Sequence, residues 1–301
     1  MKKILVTGAS GFVGRNLKPY LENKNLALKI ISREDLQSLV PLQITGIDTI
    51  VHLAGKAHDL KNVDDPTSYY DVNFGLTKLL YDAFLKSDAK KFIFISSVKA
   101  AADVVNGILT EESVPNPQTH YGKSKLMAED YICSKELPDG KFFYILRPCM
   151  IHGPGNKGNL NLLFNFVKKG IPYPLGAYKN RRSFLSVENL CFVIYNLVEM
   201  GNVDSGLFQV ADDVPLSTQE VAQILANALD KRLIVLNVPK IIVKAMSSLG
   251  DKLKLPITSE RINKLTESYV VSNTKITRTL GASLPLSSSD GLKLTAKSFV
   301  K

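Results

Sequence analysis

Tyr121 and Lys125 stand four residues apart in the run Tyr121-Gly122-Lys123-Ser124-Lys125. If that run is helical, both side chains share one face. Oxidising an alcohol removes its hydroxyl proton as hydride leaves the carbon, and reducing a ketone supplies one. A tyrosine can carry that proton only if its pKa of about 10 is brought toward neutrality. A neighbouring ammonium favours the phenolate. Upstream, the apolar run Phe92-Ile93-Phe94-Ile95 ends in Ser96-Ser97. A hydroxyl at a strand end, Ser97, can hold a substrate oxygen in line with the phenol. Y-x-x-x-K alone is common by chance, and its plain alternative is a pair on a helix surface, so the surrounding elements decide.

The first of these elements is at the chain start. Ile4-Leu5-Val6 reads as a short buried parallel strand. Thr7-Gly8-Ala9-Ser10-Gly11-Phe12-Val13-Gly14 follows, and Val13, Leu17 and Leu21 then recur at helical spacing. Strand, glycine-rich turn and helix form the setting in which a dinucleotide pyrophosphate sits on free helix amides. Gly8 permits the tight turn, Gly11 a close backbone approach, and Gly14 close helix-to-strand packing. The spacing is G-x-x-G-x-x-G rather than G-x-G-x-x-G.

The second strand is read as Leu28–Ile31. At its end, enzymes using NAD place an acidic residue on the ribose 2′-hydroxyl. Here Ser32-Arg33 stand there, and Arg33 can pair with a 2′-phosphate. NADP(H) is therefore preferred, while Glu34 and Asp35 keep NAD(H) open. Asp48–Leu53 reads as a buried strand, Val72–Leu85 as a helix, Phe92–Ile95 as a strand, and Tyr121 as the opening of a helix running toward Cys133. Further on, Val221–Ala228 reads as a helix and Leu233–Val238 as a strand. Ile241–Leu249 reads as a helix with apolar faces, as plain core or as the lining of a substrate pocket.

The chain of 301 residues is 45% hydrophobic with a net charge of +10. That length supports one large domain or a domain with a smaller appendage. The positive balance reads as a lysine-rich solvated surface, or as attraction for anionic small molecules. No basic stripe interleaved with aromatics points to nucleic acid. Cys133, Cys149 and Cys191 form neither a disulfide framework nor a metal site, and each is expected to be a small buried residue. No apolar run reaches the length of a membrane span, and Ile4–Val6 is too short for a signal peptide. A cytoplasmic setting with no membrane partner is expected.

Together these motifs resemble the extended short-chain dehydrogenases, the NAD-dependent epimerase/dehydratase family. The resemblance covers nearly the whole chain, most specifically Gly8–Gly14, His52–Gly55, Ser96-Ser97 and Tyr121–Lys125. The run Tyr121–Met127, with Glu129, is close to that of UDP-galactose 4-epimerases. The resemblance implies an α/β fold: a Rossmann-type doubly wound parallel sheet with a smaller α/β substrate lobe. It places the dinucleotide-binding domain at 1–150, with later segments returning to it, and most of the nucleotide-sugar lobe at 151–301. It implies Ser97, Tyr121 and Lys125 as the catalytic residues. Cofactor contacts are implied for Gly8, Ser10, Gly11, Phe12, Val13, Gly14, Ser32, Arg33, Leu53, Ala54 and Gly55, together with Tyr121 and Lys125. Ser97, Asn159 and Arg182 are the implied substrate contacts, Arg182 at the diphosphate. Such relatives often form homodimers through helices including the one that starts at Tyr121.

The stretches Ser96–Lys99, Lys157–Leu160 and Asn180–Phe184 further resemble bacterial surface-polysaccharide enzymes acting at C4 of UDP-N-acetylhexosamines. A 4,6-dehydratase is disfavoured, because Val98-Lys99 follow Ser97 where an acid pair is needed. That leaves a 4-keto-sugar reductase, slightly preferred because of Arg33, and a UDP-sugar 4-epimerase. A dinucleotide sensor or scaffold without catalysis is the alternative from another class. Only fourteen residues separate Arg33 from Asp48. The resembling enzymes fit a helix and a third strand there, so that sheet edge is expected to be abbreviated.

Overall fold

Alternation along short apolar runs builds the central sheet. In β1 (Lys3–Thr7), Ile4 and Val6 face one layer of core and Leu5 the other. The computed structural model describes residues 1–37, 44–56, 66–156, 159–201, 203–253 and 258–300, without the side chain of Asn159. The chain proceeds through α1 (Phe12–Glu22), β2 (Ala27–Ile31), the short α2 (Arg33–Gln37) and β3 (Thr49–His52). Next come α3 (Thr67–Tyr70), a π-helical turn over Asp71–Gly75, α4 (Leu76–Leu85), β4 (Lys91–Ile95), the short β5 (Ile108–Leu109) and α5 (His120–Ser134). β6 (Phe142–Pro148) leads into β7 (Met150–His152), α6 (Asn159–Lys168), β8 (Phe184–Ser186), α7 (Val187–Glu199) and β9 (Gly206–Val210). The remainder is α8 (Thr218–Asn227), α9 (Lys240–Leu253), α10 (Ser259–Thr266), β10 (Val270–Val271), α11 (Thr274–Leu280) and α12 (Ser288–Val300).

Six strands form one sheet in the order β2-β1-β3-β4-β6-β9, every neighbouring pair parallel. Val6 lies level with Val51, and Val51 with Ile93. Leu17 and Leu21 of α1 and the apolar face of α7 cover one side. Leu80, Tyr81 and Phe84 of α4, with Ala128 and Ile132 of α5, cover the other. This is the doubly wound layering expected from buried parallel strands. Among the described residues β2 is the sheet edge. The described residues between Arg33 and Asp48 supply a five-residue helix, Arg33–Gln37, and no further strand.

A third core cluster gathers Leu160 and Phe164 of α6, Val221 and Leu225 of α8, and Leu292 and Ala296 of α12 around Tyr173 and Leu175. Two small parallel pairs, β7–β8 and β5–β10, join this part of the chain to the sheet's carboxyl end. Leu233–Val238 forms only isolated bridges, Tyr173 to Val235 and Leu175 to Asn237, instead of the expected strand. Of the cysteines, Cys149 and Cys191 are buried. Cys133 is exposed, against expectation, because it falls on the solvent side of α5.

Two buried charges brace the layers. Lys91 opens β4 and donates to the carbonyls of Leu197 and Val198, each at 2.8 Å, and to Met200. It thereby meets carbonyls at the end of α7, where Lys2 also donates to Val198 at 3.2 Å. Glu129 of α5 takes two bonds from Arg147 Nε, at 3.0 and 3.1 Å, and one more from Nη2. Ser96 also donates to Glu129, so the acid ties the end of β4 to β6 through α5. Both members of the ion pair are almost fully buried. Removing one partner strands the other. Arg147→Met is expected to lower unfolding free energy by about 3–5 kcal/mol. The Glu129→Gln/Arg147→Met double variant should lose clearly less, as read by urea denaturation.

Candidate active site

All six strands run the same way, so the ends of β1, β3 and β4 open into one crevice where the chain order reverses, between β1 and β3. Gly8 has a φ of +70°, and a Cβ there would lie 2.6 Å from the Ala54 nitrogen. A Cβ on Gly14 would come within 2.4 Å of the Gly8 carbonyl oxygen. The glycine turn is thus closed against both the Leu53-Ala54-Gly55 turn and the first turn of α1. Gly11 is the N-cap of α1 and offers no capping side chain, leaving the first amides of the helix, at Phe12, Val13 and Gly14, without intrahelical acceptors. Ser10 lies exposed in the same turn. These donors and this tight backbone fit a pyrophosphate.

Ser32 and Arg33 are both exposed at the end of β2, with Arg33 opening α2. Asp35 folds back on this turn. Its carboxylate accepts from the Ser32 hydroxyl at 2.8 Å and from the Ser32 amide at 3.3 Å. A carboxylate and a guanidinium therefore share the turn at the end of β2, a juxtaposition the residue order alone left open.

Ser97, Tyr121 and Lys125 are brought together. Ser97 caps a short 3-10 turn over Val98–Ala100, its oxygen accepting from the Lys99 amide at 3.2 Å. Thr119 caps α5 by accepting from the Gly122 amide at 3.2 Å. The two elements touch at Gly122, where a Cβ would stand 2.3 Å from the Lys99 carbonyl oxygen. Gly122 thus lets α5 rest directly on the turn that carries Ser97, a role the sequence reading did not assign. The Ser97 hydroxyl hydrogen-bonds the Tyr121 phenol. Burial pushes that phenol above its ordinary value and the Ser97 bond pulls it down. Lys125 is buried, donates to the Ile95 carbonyl at 2.9 Å and lies 4.8 Å from the centre of the Phe94 ring. Burial lowers the ammonium to about 8, with Glu129 opposing. Gly55 lies against it, since a Cβ there would be 3.1 Å from Lys125 Nζ.

A buried polar chain fixes these parts. His52 Nδ1 meets the Thr7 hydroxyl at 2.7 Å, and Nε2 meets the Thr77 hydroxyl at 3.0 Å. Thr77 donates to the Asn73 carbonyl at 2.7 Å, and the Thr7 hydroxyl accepts from the Ala54 amide at 3.2 Å. Asn73 in turn accepts from the Lys56 amide at 2.8 Å and donates to the Ser124 hydroxyl at 3.0 Å. Asn73 sits in the π-helical turn, where the sequence suggests an unbroken helix over Val72–Leu85. Periodicity carries no signal for one inserted residue.

Arg182 is half-buried, its backbone paired with Leu216 in both directions and its guanidinium donating to the Lys264 carbonyl. A guanidinium has further donors to offer. Neighbouring Arg181 is exposed, 3.8 Å from Glu220. Asn159 opens α6, and its side chain lies outside the described residues, as do Lys157 and Gly158. His120 meets the Tyr70 hydroxyl at 3.0 Å. Among the described residues no group of His, Cys, Asp and Glu could hold a metal.

The model of the NAD dependent epimerase/dehydratase family matches residues 4–211. A UDP-glucose 4-epimerase from Vibrio cholerae is 31% identical, over 100% of this chain and 96% of its own. A GDP-6-deoxy-D-mannose reductase from Pseudomonas aeruginosa is 27% identical over 75% of this chain and 80% of its own. In structure, the UDP-N-acetylglucosamine 4-epimerase from Bacillus cereus matches with a TM-score of 0.79, 21% identity and full coverage of both chains. RMD from Pseudomonas aeruginosa, complexed with NADPH, matches at 0.75, with 21% identity and full coverage of both. MoeE5 in complex with UDP-glucuronic acid and NAD also matches at 0.75, with 20% identity and 98% of each chain covered.

His52 carries a further expectation. Burial, then the Lys125 charge, drives its pKa down to about 3, so it stays neutral in the folded protein while the unfolded chain takes up a proton near 6.5. Its contribution is intact above pH 6.5 and declines as the pH falls toward 3, by about 2 kcal/mol at pH 5. Denaturation of the wild type should show this extra loss between pH 7 and pH 5, and His52→Gln should not.

Proposed function

The chain belongs to the NAD dependent epimerase/dehydratase family, and from that premise we propose that it transfers hydride at C4 of a UDP-sugar. The observation that carries this reading is the Ser97–Tyr121 hydrogen bond with Lys125 seated behind it. Gly8, Ser10, Gly11 and the first amides of α1 at Phe12, Val13 and Gly14 would hold the pyrophosphate of a nicotinamide dinucleotide. Ser32 and Arg33 would meet the adenosine ribose, while Leu53, Ala54, Gly55 and Lys125 would line the path to the nicotinamide ribose. A bound nicotinamide supplies or accepts the hydride.

Ser97 fixes the C4 oxygen and Tyr121 exchanges its proton. Burial holds the phenol above its ordinary value, against the expectation that Lys125 brings it toward neutrality, so the lowering that proton exchange needs would have to come from a bound oxidised nicotinamide. Arg182 would pair with the substrate diphosphate through donors not used on Lys264, and Asn159 would contact the sugar. The lean is to a 4-keto-sugar reductase using NADPH, supported by Arg33 at the end of β2. The second reading, a UDP-sugar 4-epimerase retaining NAD, is favoured by the carboxylate of Asp35 on the same turn and by the full-length likeness to the Vibrio cholerae enzyme. A sensor without catalysis is opposed by the presence of Ser97, Tyr121 and Lys125 together, with Ser97 bonded to Tyr121.

Tyr121→Phe should lower kcat by at least about a hundredfold while leaving dinucleotide affinity within about twofold. Turnover of UDP-sugars and 4-keto-UDP-sugars with NADH and NADPH reads the class directly. Cofactor consumption with NADPH preference that Arg33→Ala removes establishes the reductase. Interconversion without net consumption establishes the epimerase, and no turnover of either substrate sinks the proposal.

A pH profile tests Lys125. Its ammonium is charged below about 8 and neutral above it. kcat/KM should therefore fall through a basic limb near pH 8, and Lys125→Arg should move that limb upward or abolish it.

A further inference from the structure

The sequence reading assigns the apolar residues of Ile241–Leu249 to core or to a substrate pocket. The structure turns them outward. Within α9 the buried positions are Val243, Ser247 and Gly250, a stripe of mostly small residues. Ile242, Met246, Leu249 and Leu253 are exposed at 49%, 54%, 55% and 60%, and Ile241 at 82%. The first four recur at helical spacing and form one continuous stripe. Among the described residues nothing covers it, and a stripe of this kind on a surface helix marks an interaction site.

The rest of the helix indicates what meets it. Lys240, Lys244 and Lys252 are exposed away from the stripe. The only acid of α9, Asp251, has its carboxylate accepting from the Ser259 amide at 3.0 Å. Lys231 and Arg232 are exposed shortly before the helix, in a chain of net charge +10. An apolar stripe beside a lysine-rich polar face fits an interfacial helix lying in the headgroup layer of an anionic bilayer. The absence of a span-length apolar run does not bear on this, since an interfacial helix needs none.

We propose that α9 docks this protein on an anionic lipid surface, with Ile242, Met246, Leu249 and Leu253 entering the headgroup boundary and the helix lysines meeting lipid phosphates. The docked face adjoins the candidate active site. α10 packs on α9, and the Lys264 carbonyl of α10 holds Arg182. Docking therefore brings the diphosphate end of the proposed site toward the lipid surface. This last placement rests on the role proposed for Arg182, whereas the docking itself does not.

Flotation of the full chain with phosphatidylcholine vesicles, with and without phosphatidylglycerol, tests the proposal. Binding should be at least about tenfold stronger with phosphatidylglycerol and should weaken as salt rises. Met246→Glu/Leu249→Glu should abolish it. Lys244→Glu/Lys252→Glu, which alters only exposed charges, should weaken it at least about tenfold. Both variants should retain dinucleotide binding and turnover of soluble substrate, so failure of the docking is read separately from failure of the proposed activity. No binding by the wild type, equal binding to both vesicle types, or binding unaffected by either variant overturns the proposal. So does a wild-type dimer that these variants convert to monomers in light scattering, because a second copy would then cover the stripe.

Discussion

The site depends on burying one imidazole without a charge. His52 ends β3 between Thr7, which ends β1, and Thr77 of α4, with both ring nitrogens in hydrogen bonds. A buried polar group left unpaired is costly, so this chain either closes completely or destabilises the crevice. Closing it fixes the Ala54 turn through Thr7 and the π-helical turn through Thr77. Asn73 then reaches Ser124, one residue before Lys125. Glycine loop, π turn and α5 are held in one register by neutral groups, with no buried charge consumed.

The charges are spent elsewhere, each against a named partner. Glu129 and Arg147 join α5 to β6, and Lys91 closes the carbonyl end of α7. Lys125 has weaker compensation. It relies on the Ile95 carbonyl and the face of Phe94, and its ammonium is correspondingly easier to neutralise than an ordinary lysine. A lysine poised in this way suits a site that handles protons.

The two parts of the chain treat exposed surface differently. The inner strands β1, β3 and β4 bury their apolar residues, whereas α9 shows most of its large apolar side chains to solvent. The contrast follows from what each helix packs against. α4 and α5 lie across a broad apolar sheet face, whereas α9 has a narrow contact that accommodates Val243, Ser247 and Gly250.

Residue order determined the local chemistry. The Gly8–Gly14 turn, the strands ending at Thr7, His52 and Ile95, and the Tyr121/Lys125 pair follow from periodicity and spacing, which depend only on near neighbours. The shortened segment after Arg33 likewise suggested an abbreviated edge, and among the described residues β2 is that edge. Contacts between distant segments were decided only by the tertiary structure. Pairing of Ser97 with Tyr121 needs Gly122 to seat α5 on a turn more than twenty residues earlier in the chain. The π turn at Asn73, the return of Asp35 onto Ser32 and the outward stripe of α9 are equally invisible to periodicity. An amphipathic pattern says that one face is apolar, and only the neighbouring elements decide whether that face is covered.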